Sequence, residues 1–329
     1  MMAAIERRAL LAGLAAVLPF PAGAQDRRKI VVGFVSWWPA SMEADYVPRL
    51  RKALAALGYV EPQSLELLVT FTGGDAALTR VAAKRLVERA VNVIIATATP
   101  VATIVKEETQ ASQIPVIMAP VSDPIATGLV QSIAKPGGNL TGMSMAGPDL
   151  TGKRLQILRD VMPNLGTIAF LGRSRDQNAK TFAASLERVA GEAGLKLIVR
   201  MVGSPTEIDD ALMADFKQAG AQALIIQPIF LGQQAGIVET ATRAGLPSIS
   251  DFPAFAEAGA LFTYGLDDRA RLERAAYFID RIAKGTRPAD LPIELPTQFA
   301  LVVNRKAAAG DRKSTRLNSS HVSESRMPS

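Results

Sequence analysis

The chain has 329 residues, 48% hydrophobic and 21% charged, with no cysteine, one histidine and a formal charge of +6. At roughly 100–200 residues per domain that length suggests two domains, and the composition is that of a folded protein with ample core-forming material. Zero cysteine excludes disulfides, thiolate nucleophiles and zinc ribbons, and a lone histidine leaves no multi-His metal site and no His-dependent triad.

Residues 1–24 read as a secretory signal peptide. Arg7 and Arg8 form a positive start, Ala9 to Leu18 is an apolar run too short to span a bilayer, and Ala22-Gly23-Ala24 is a small-residue cleavage site that places the mature start near Gln25. A lipoprotein would need a cysteine at that site, so the signal implies release of a soluble protein into a periplasm, without a membrane anchor. No later stretch approaches the ~18 apolar residues of a membrane span.

Beyond the signal, strands and helices alternate. Ile30 to Val35 is a short Val/Ile-rich run typical of a strand buried on both faces. Val47, Leu50, Leu54 and Leu57 recur at helical spacing before a stop at Gly58. Leu65 to Phe71 is a second strand, and Asp75 is placed to cap a helix with Leu78, Val81, Ala82, Leu86 and Val87 on one face. Val93 to Ala96, a short helix after Pro100 and a strand at Pro115 to Met118 follow. The pattern then restarts: strand Ile168 to Leu171, a helix marked by Phe182, Leu186, Val189 and Ala190, and strand Leu195 to Val199. A helix marked by Ile208, Leu212 and Phe216, strand Ala223 to Ile226, a helix marked by Ile237, Val238 and Ala241, and strand Pro247 to Ile249 complete it. Strands separated by single helices imply βαβ units and parallel sheets. Ile94-Ile95 matches Ile225-Ile226, Ile114-Pro115 matches Leu246-Pro247 and Gly58 matches Gly194 at a nearly constant offset, which argues for two lobes of one design.

From Asp311 the sequence turns Ser-rich and loses periodicity; residues 311–329 resemble a translated adapter-type tail, are expected to be disordered, and hold the only histidine, His321, to which no function is given. With both terminal segments set aside the charge excess drops to +3, and no block of like charge stands out, which removes the case for a nucleic-acid partner.

Two like sheets place a cleft between lobes, and in open parallel sheets ligands bind beyond the carboxyl ends of the strands. There the sequence offers Ser36, Trp37, Thr97, Thr99, Ser122 and Asp123 in the first half, and Ser174, Gln227, Asp251 and Phe252 in the second. Hydroxyls at helix starts suit a carboxylate, Asp123 and Asp251 suit an ammonium, and aromatic rings suit a flat side chain. The same residue types are ordinary helix caps, and adjacent Trp37 and Trp38 are not expected to enter one pocket. No G-x-S-x-G elbow, P-loop lysine, H-E-x-x-H or dinucleotide fingerprint is present, so no catalytic residue, metal or cofactor is expected.

Several stretches resemble one family. They are Ile114-Pro-Val-Ile-Met-Ala-Pro-Val-Ser-Asp-Pro124, Ala134-Lys-Pro-Gly-Gly-Asn-Leu-Thr-Gly142, Tyr264-Gly265, and Gly285-Thr-Arg-Pro-Ala-Asp-Leu-Pro-Ile-Glu-Leu-Pro-Thr-Gln-Phe-Ala-Leu-Val-Val-Asn304. Over roughly residues 29–310 the chain resembles the exported substrate-binding proteins of ABC transporters in the tryptophan/tyrosine-uptake-like group. The resemblance implies the periplasmic-binding-protein type I fold, an α/β architecture of two Rossmann-like lobes with parallel sheets joined by crossover strands and closing on a small ligand. It implies lobe 1 at 25–143 plus roughly 266–292, lobe 2 at 144–265 plus roughly 293–310, an ABC permease and ATPase as partners, a monomer, and a ligand class that includes aromatic amino acids. Tyr264 joins the expected ligand contacts. A ligand-sensing module for a membrane receptor and a carboxylate-dependent periplasmic enzyme are the alternatives.

Overall fold

The apolar run Ile30–Ser36 forms strand β1, in which Val31 alone is not fully buried. A strand buried on both faces needs helices above and below, and the chain supplies them. The computed structural model describes residues 29–145, 150–266 and 271–310. The expected export signal at 1–24 and the Ser-rich tail at 311–329, with His321, lie outside the described residues.

In the first sheet β1 is followed by α1 (Tyr46–Ala56), β2 (Leu65–Phe71), α2 (Ala76–Glu88), β3 (Val93–Ala96), α3 (Thr99–Glu108), β4 (Val116–Val121) and β5 (Leu140–Ser144). Its order is β2-β1-β3-β4-β5, all pairs parallel. The chain then enters α4 (Thr151–Val161), β6 (Thr167–Arg173), α5 (Gln177–Glu192), β7 (Lys196–Val202), α6 (Asp210–Gln218), β8 (Ala223–Ile226), α7 (Gln234–Arg243), β9 (Ser248–Ser250), α8 (Pro253–Glu257) and β10 (Phe262–Leu266). It crosses back as α9 (Arg271–Ala283), which packs on α1 and β4, and returns as β11 (Phe299–Val303), ending in α10 (Arg305–Gly310). The second sheet runs β11-β10-β9-β8-β6-β7, parallel except for the antiparallel β10–β11 edge. The repeated order of first strand at the centre, second outside it and third on its other side is the α/β design expected from the two halves of the sequence.

Three apolar clusters hold these layers. One lies between the first sheet, α1 and α9 and includes Phe34, Leu50, Phe278 and Ile279. Another lies between the second sheet, α4 and α5 and includes Phe170, Phe182 and Leu186. The largest begins under α2 and α3, reaches Trp37, Trp38 and Met145 at the cleft, and continues through Ile229 and Phe252 into the core beneath α6 and α7. The two sheets thus share one continuous apolar cluster across the cleft.

The helix α2 corrects one expectation. Asp75 caps it as anticipated, Oδ1 accepting the N–H groups of Ala77 and Leu78. Its buried face, however, is Thr79, Ala82, Ala83 and Leu86, while Leu78 and Val81 are exposed. The small residues let α2 approach α3 and the sheet closely, so packing rather than total hydrophobicity selects the face. Strand β5 lacks a clear pattern in the sequence. Its Gly142, at φ +126°, lies so close to β4 that a Cβ would stand 2.3 Å from the Met118 carbonyl oxygen.

Candidate functional site

The carboxyl ends of β1, β3 and β4 face those of β6, β8 and β9 across the cleft. Between them lies a cavity of ≈ 30 Å³. The first sheet contributes Trp38, Ala98, Thr99, Pro120, Ser122 and Met145; the second contributes Asp176, Asn178, Gln227, Ile229 and Phe252.

Asp176 is the N-cap of α5. Its Oδ1 accepts the Asn178 backbone N–H at 3.3 Å and the Asn178 side-chain amide at 3.4 Å, and its Oδ2 accepts the Gln227 amide. Gln227, itself 1% exposed, turns its own oxygen to the Arg173 N–H at 2.9 Å. Burial pushes the Asp176 carboxyl above its ordinary range, against the pull of these donors. Asn178 is 2% exposed, and its Oδ1 has no hydrogen-bond partner. A buried acceptor without a donor costs roughly 1–3 kcal/mol. Asp176 and Asn178 together therefore form an acceptor-rich wall that a ligand donor would satisfy.

The opposite wall donates. Thr99 Oγ1 accepts the Ser122 N–H at 3.2 Å, which leaves its hydroxyl proton free, and Thr99 is the first residue of α3. Pro100 follows at the helix start, where its missing N–H costs nothing. Ala98 precedes it at φ 63°, ψ 154°, a region otherwise reserved for glycine. Strain of order 1–3 kcal/mol is thus stored where the backbone turns from β3 into α3 against the cavity.

Of the residues expected from sequence, Thr99, Ser122, Gln227 and Phe252 line this cavity. Trp37 instead lines a wider outer cleft of ≈ 630 Å³, so the adjacent tryptophans face different spaces. Ser36 and Thr97 stand behind the wall: Ser36 Oγ accepts the Trp38 N–H at 3.0 Å, and Thr97 Oγ1 accepts the Trp37 N–H at 3.2 Å and donates to Ser36 Oγ. They hold the chain that carries both rings. Asp123 Oδ1 accepts the Ile125 and Ala126 N–H groups, closing its own turn. Ser174 is exposed and donates to the Val202 carbonyl. Asp251 is buried against Arg154, whose Nη2 stands 2.6 Å from its Oδ2, and Arg154 Nε donates to the Tyr264 carbonyl. The Tyr264 ring stacks on Phe299 at 5.9 Å. Asp123, Ser174, Asp251 and Tyr264 line neither space; in Asp123 and Asp251 the acceptors meant for an ammonium are used within the fold.

Asp176 and Asn178 were not anticipated, although the cap logic that located Asp75 applies equally to an Asp directly before Gln177. Arg154 carried no signal, because its partner lies 97 residues away. Among the described residues no group of three or more His, Cys, Asp or Glu is placed to hold a metal ion, and no helix is long and apolar enough to cross a membrane.

Comparison with known proteins bears on this cleft. Residues 40–313 match the family described as ABC transporter substrate binding protein. A curated relative, the tyrosine-binding protein of Clostridioides difficile (strain R20291), is 23% identical over 255 residues, covering 77% of this chain and 72% of its own. The solved structure of the ABC domain in complex with L-Trp from Streptococcus pneumonia superposes with a TM-score of 0.79 at 25% identity, covering 86% of this chain and 94% of that one. A conserved domain protein from Vibrio cholerae superposes at 0.78 with 23% identity, covering 88% and 95%.

Proposed function

The chain belongs to the ABC transporter substrate binding protein family, and we propose that it captures an amino-acid-like zwitterion between its lobes and delivers it to an ABC importer. Its fold is that of periplasmic binding proteins of type I, and proteins of this kind work outside the cytoplasm on a small-molecule ligand. The observation that carries the ligand class is the pairing of Asp176 with the unsatisfied Asn178 Oδ1 in a cavity shared by both sheets. An ammonium donates to both oxygens; the carboxylate of the same ligand meets the Thr99 and Ser122 hydroxyls and the first turn of α3, where the helix dipole favours an anion. The relatives that bind tyrosine and tryptophan support this reading.

In this reading residues 25–143 with 266–292 and residues 144–265 with 293–310 move as two lobes, and residues 1–24 direct export to a periplasm with cleavage near Ala24. The protein acts as a monomer that presents its closed form to a permease and ATPase pair, and it performs no chemistry on the ligand. A thermal-shift screen of the mature protein against the common amino acids tests it. A ligand at 100 times its dissociation constant adds about 2.7 kcal/mol and raises the midpoint accordingly. Asp176→Asn is expected to weaken that ligand at least tenfold. Absence of any shift across the amino acids defeats the ligand class, and turnover of a stabilising ligand defeats the transport role.

A further inference from the structure

The inner cavity and the outer cleft are two parts of one space. Thr99, Pro100, Asp176 and Ile229 line both. They differ in what they can hold. The inner cavity, at ≈ 30 Å³, admits only a small group. The outer cleft, at ≈ 630 Å³, has the size of a small-molecule site. An amino acid whose head lies on the shared wall therefore finds room for a long side chain outward rather than inward.

The outer cleft has a definite chemistry. Arg173 lies across it from the second sheet, its guanidinium carbon 5.8 Å from the Trp37 ring centre. On the other side Gly73 and Gly74, at φ +58° and +86°, carry no side chain into the space; a Cβ on Gly74 would stand 3.8 Å from both Arg173 Nη1 and Trp37. Arg175, exposed on the same loop, is the second cation of this wall. Neither arginine forms an ion pair among the described residues. Of the acids nearby, Asp75 caps α2, and Asp176, which accepts from Gln227 and Asn178, is the one that meets the ligand's ammonium in the proposed reading. The space that would receive the far end of a ligand thus presents two guanidinium groups and an aromatic face.

Resting on the amino-acid reading, we infer that the preferred ligand is an amino acid with a long, flat side chain ending in an anion, whose terminal group is received by Arg173 and Arg175 in the outer cleft. A planar guanidinium takes a carboxylate through two parallel hydrogen bonds, which a neutral isostere does not replace.

Two isosteric probes test this: para-carboxy-L-phenylalanine and para-carbamoyl-L-phenylalanine, equal in length and differing in charge. By calorimetry with the wild-type protein near neutral pH, the carboxylate is expected to bind at least tenfold more tightly than the amide. In Arg173→Gln/Arg175→Gln that ratio is expected to fall at least fivefold, and a ratio of two affinities is insensitive to a general change in lobe closure. Equal affinity of the two probes, or a ratio unchanged in the double variant, overturns the inference. If L-tyrosine or L-tryptophan binds and neither para-substituted probe does, the inference falls and the amino-acid reading stands. If no amino acid binds, both fall.

Discussion

Replacing Arg154 by methionine removes the cation from a pair whose two side chains are each 4% exposed and 2.6 Å apart. Burial already pushes the Asp251 carboxyl up to about 6, with Arg154 pulling it back. Without the guanidinium the carboxyl rises further and takes up a proton at neutral pH. Relative to an unfolded-state value of 3.8, holding it neutral near pH 7.5 costs about 5 kcal/mol at 1.36 kcal/mol per unit, of which the wild type, at about 6, already carries about 3, so the variant loses about 2 kcal/mol by this route. Breaking buried pairs typically costs about 3–5 kcal/mol, and the remainder falls to the hydrogen bonds and packing lost with the guanidinium. The Tyr264 carbonyl loses the Arg154 donor as well.

The pH dependence has a definite sign. A carboxyl whose folded value is raised binds more protons in the native state than in the unfolded one, so stability falls as pH rises from the unfolded value through the folded one. In the wild type the loss from Asp251 ends near its folded value of about 6. In Arg154→Met it continues to higher pH. The difference between the two proteins, measured by urea denaturation with fluorescence of the buried Trp37 and Trp38, should be about 3–5 kcal/mol near pH 8 and shrink below about pH 6. Arg154→Met/Asp251→Leu should recover most of it, because an apolar pair leaves no buried charge. A loss under about 1 kcal/mol near pH 8, a difference that ignores pH, or a double variant no more stable than the single would refute this account.

Ligand affinity should fall as pH drops, and at higher pH than for an ordinary aspartate, because the Asp176 carboxyl, raised by burial, must ionise to hold an ammonium. Calorimetry in buffers of different ionisation enthalpy should then detect proton release on binding, and identical heats would count against the role of Asp176. Ala98→Gly should raise the melting midpoint by relieving a backbone at φ 63°, an effect of about 1 kcal/mol; a lowered midpoint would show that no strain is stored there. Gly142→Ala should destabilise by more than about 2 kcal/mol, since its Cβ would stand 2.3 Å from the Met118 oxygen at a φ that L-residues avoid. Thr97→Val should cost about 1 kcal/mol through the lost bonds to the Trp37 N–H and Ser36, and because Thr97 lines neither space, a loss of affinity larger than the loss of stability explains would reassign it to the site.

The alternation of strands and helices was readable because each signal is local. Ile30–Ser36, Leu65–Phe71, Val93–Ala96 and Ala223–Ile226 are short apolar runs between helix caps, and the structure places a strand on each. Other elements were not singled out: β5, α4, α8, β10 and β11 carry no clean period, and their positions follow from docking, whereas α9 has a marked helical period, with Ala275, Ala276 and Ile279 on its buried face, that was passed over. The buried face of α2 shows the same limit, since Ala82 and Ala83 outrank Leu78 and Val81 once α3 lies against them.

The site divides along the same line. Placing binding residues after successive strands is a rule of topology, and it located Thr99, Ser122 and Gln227 on the cavity wall. It could not tell which polar side chains remain free. Asp251 and Asp176 look alike in sequence, each an acid close after a strand. Asp251 is paired with Arg154 from a helix 97 residues away, whereas Asp176 meets only amides and lines the cavity. The resemblance of several stretches carried the family, the spacing of strands and helices carried the repeated α/β pattern, and composition carried the exclusion of cysteine and histidine chemistry. Which acid is spent inside the fold and which is left for a ligand depends on partners brought from far along the chain, and the packing of α4, α5 and the strand ends of the second sheet supplies them.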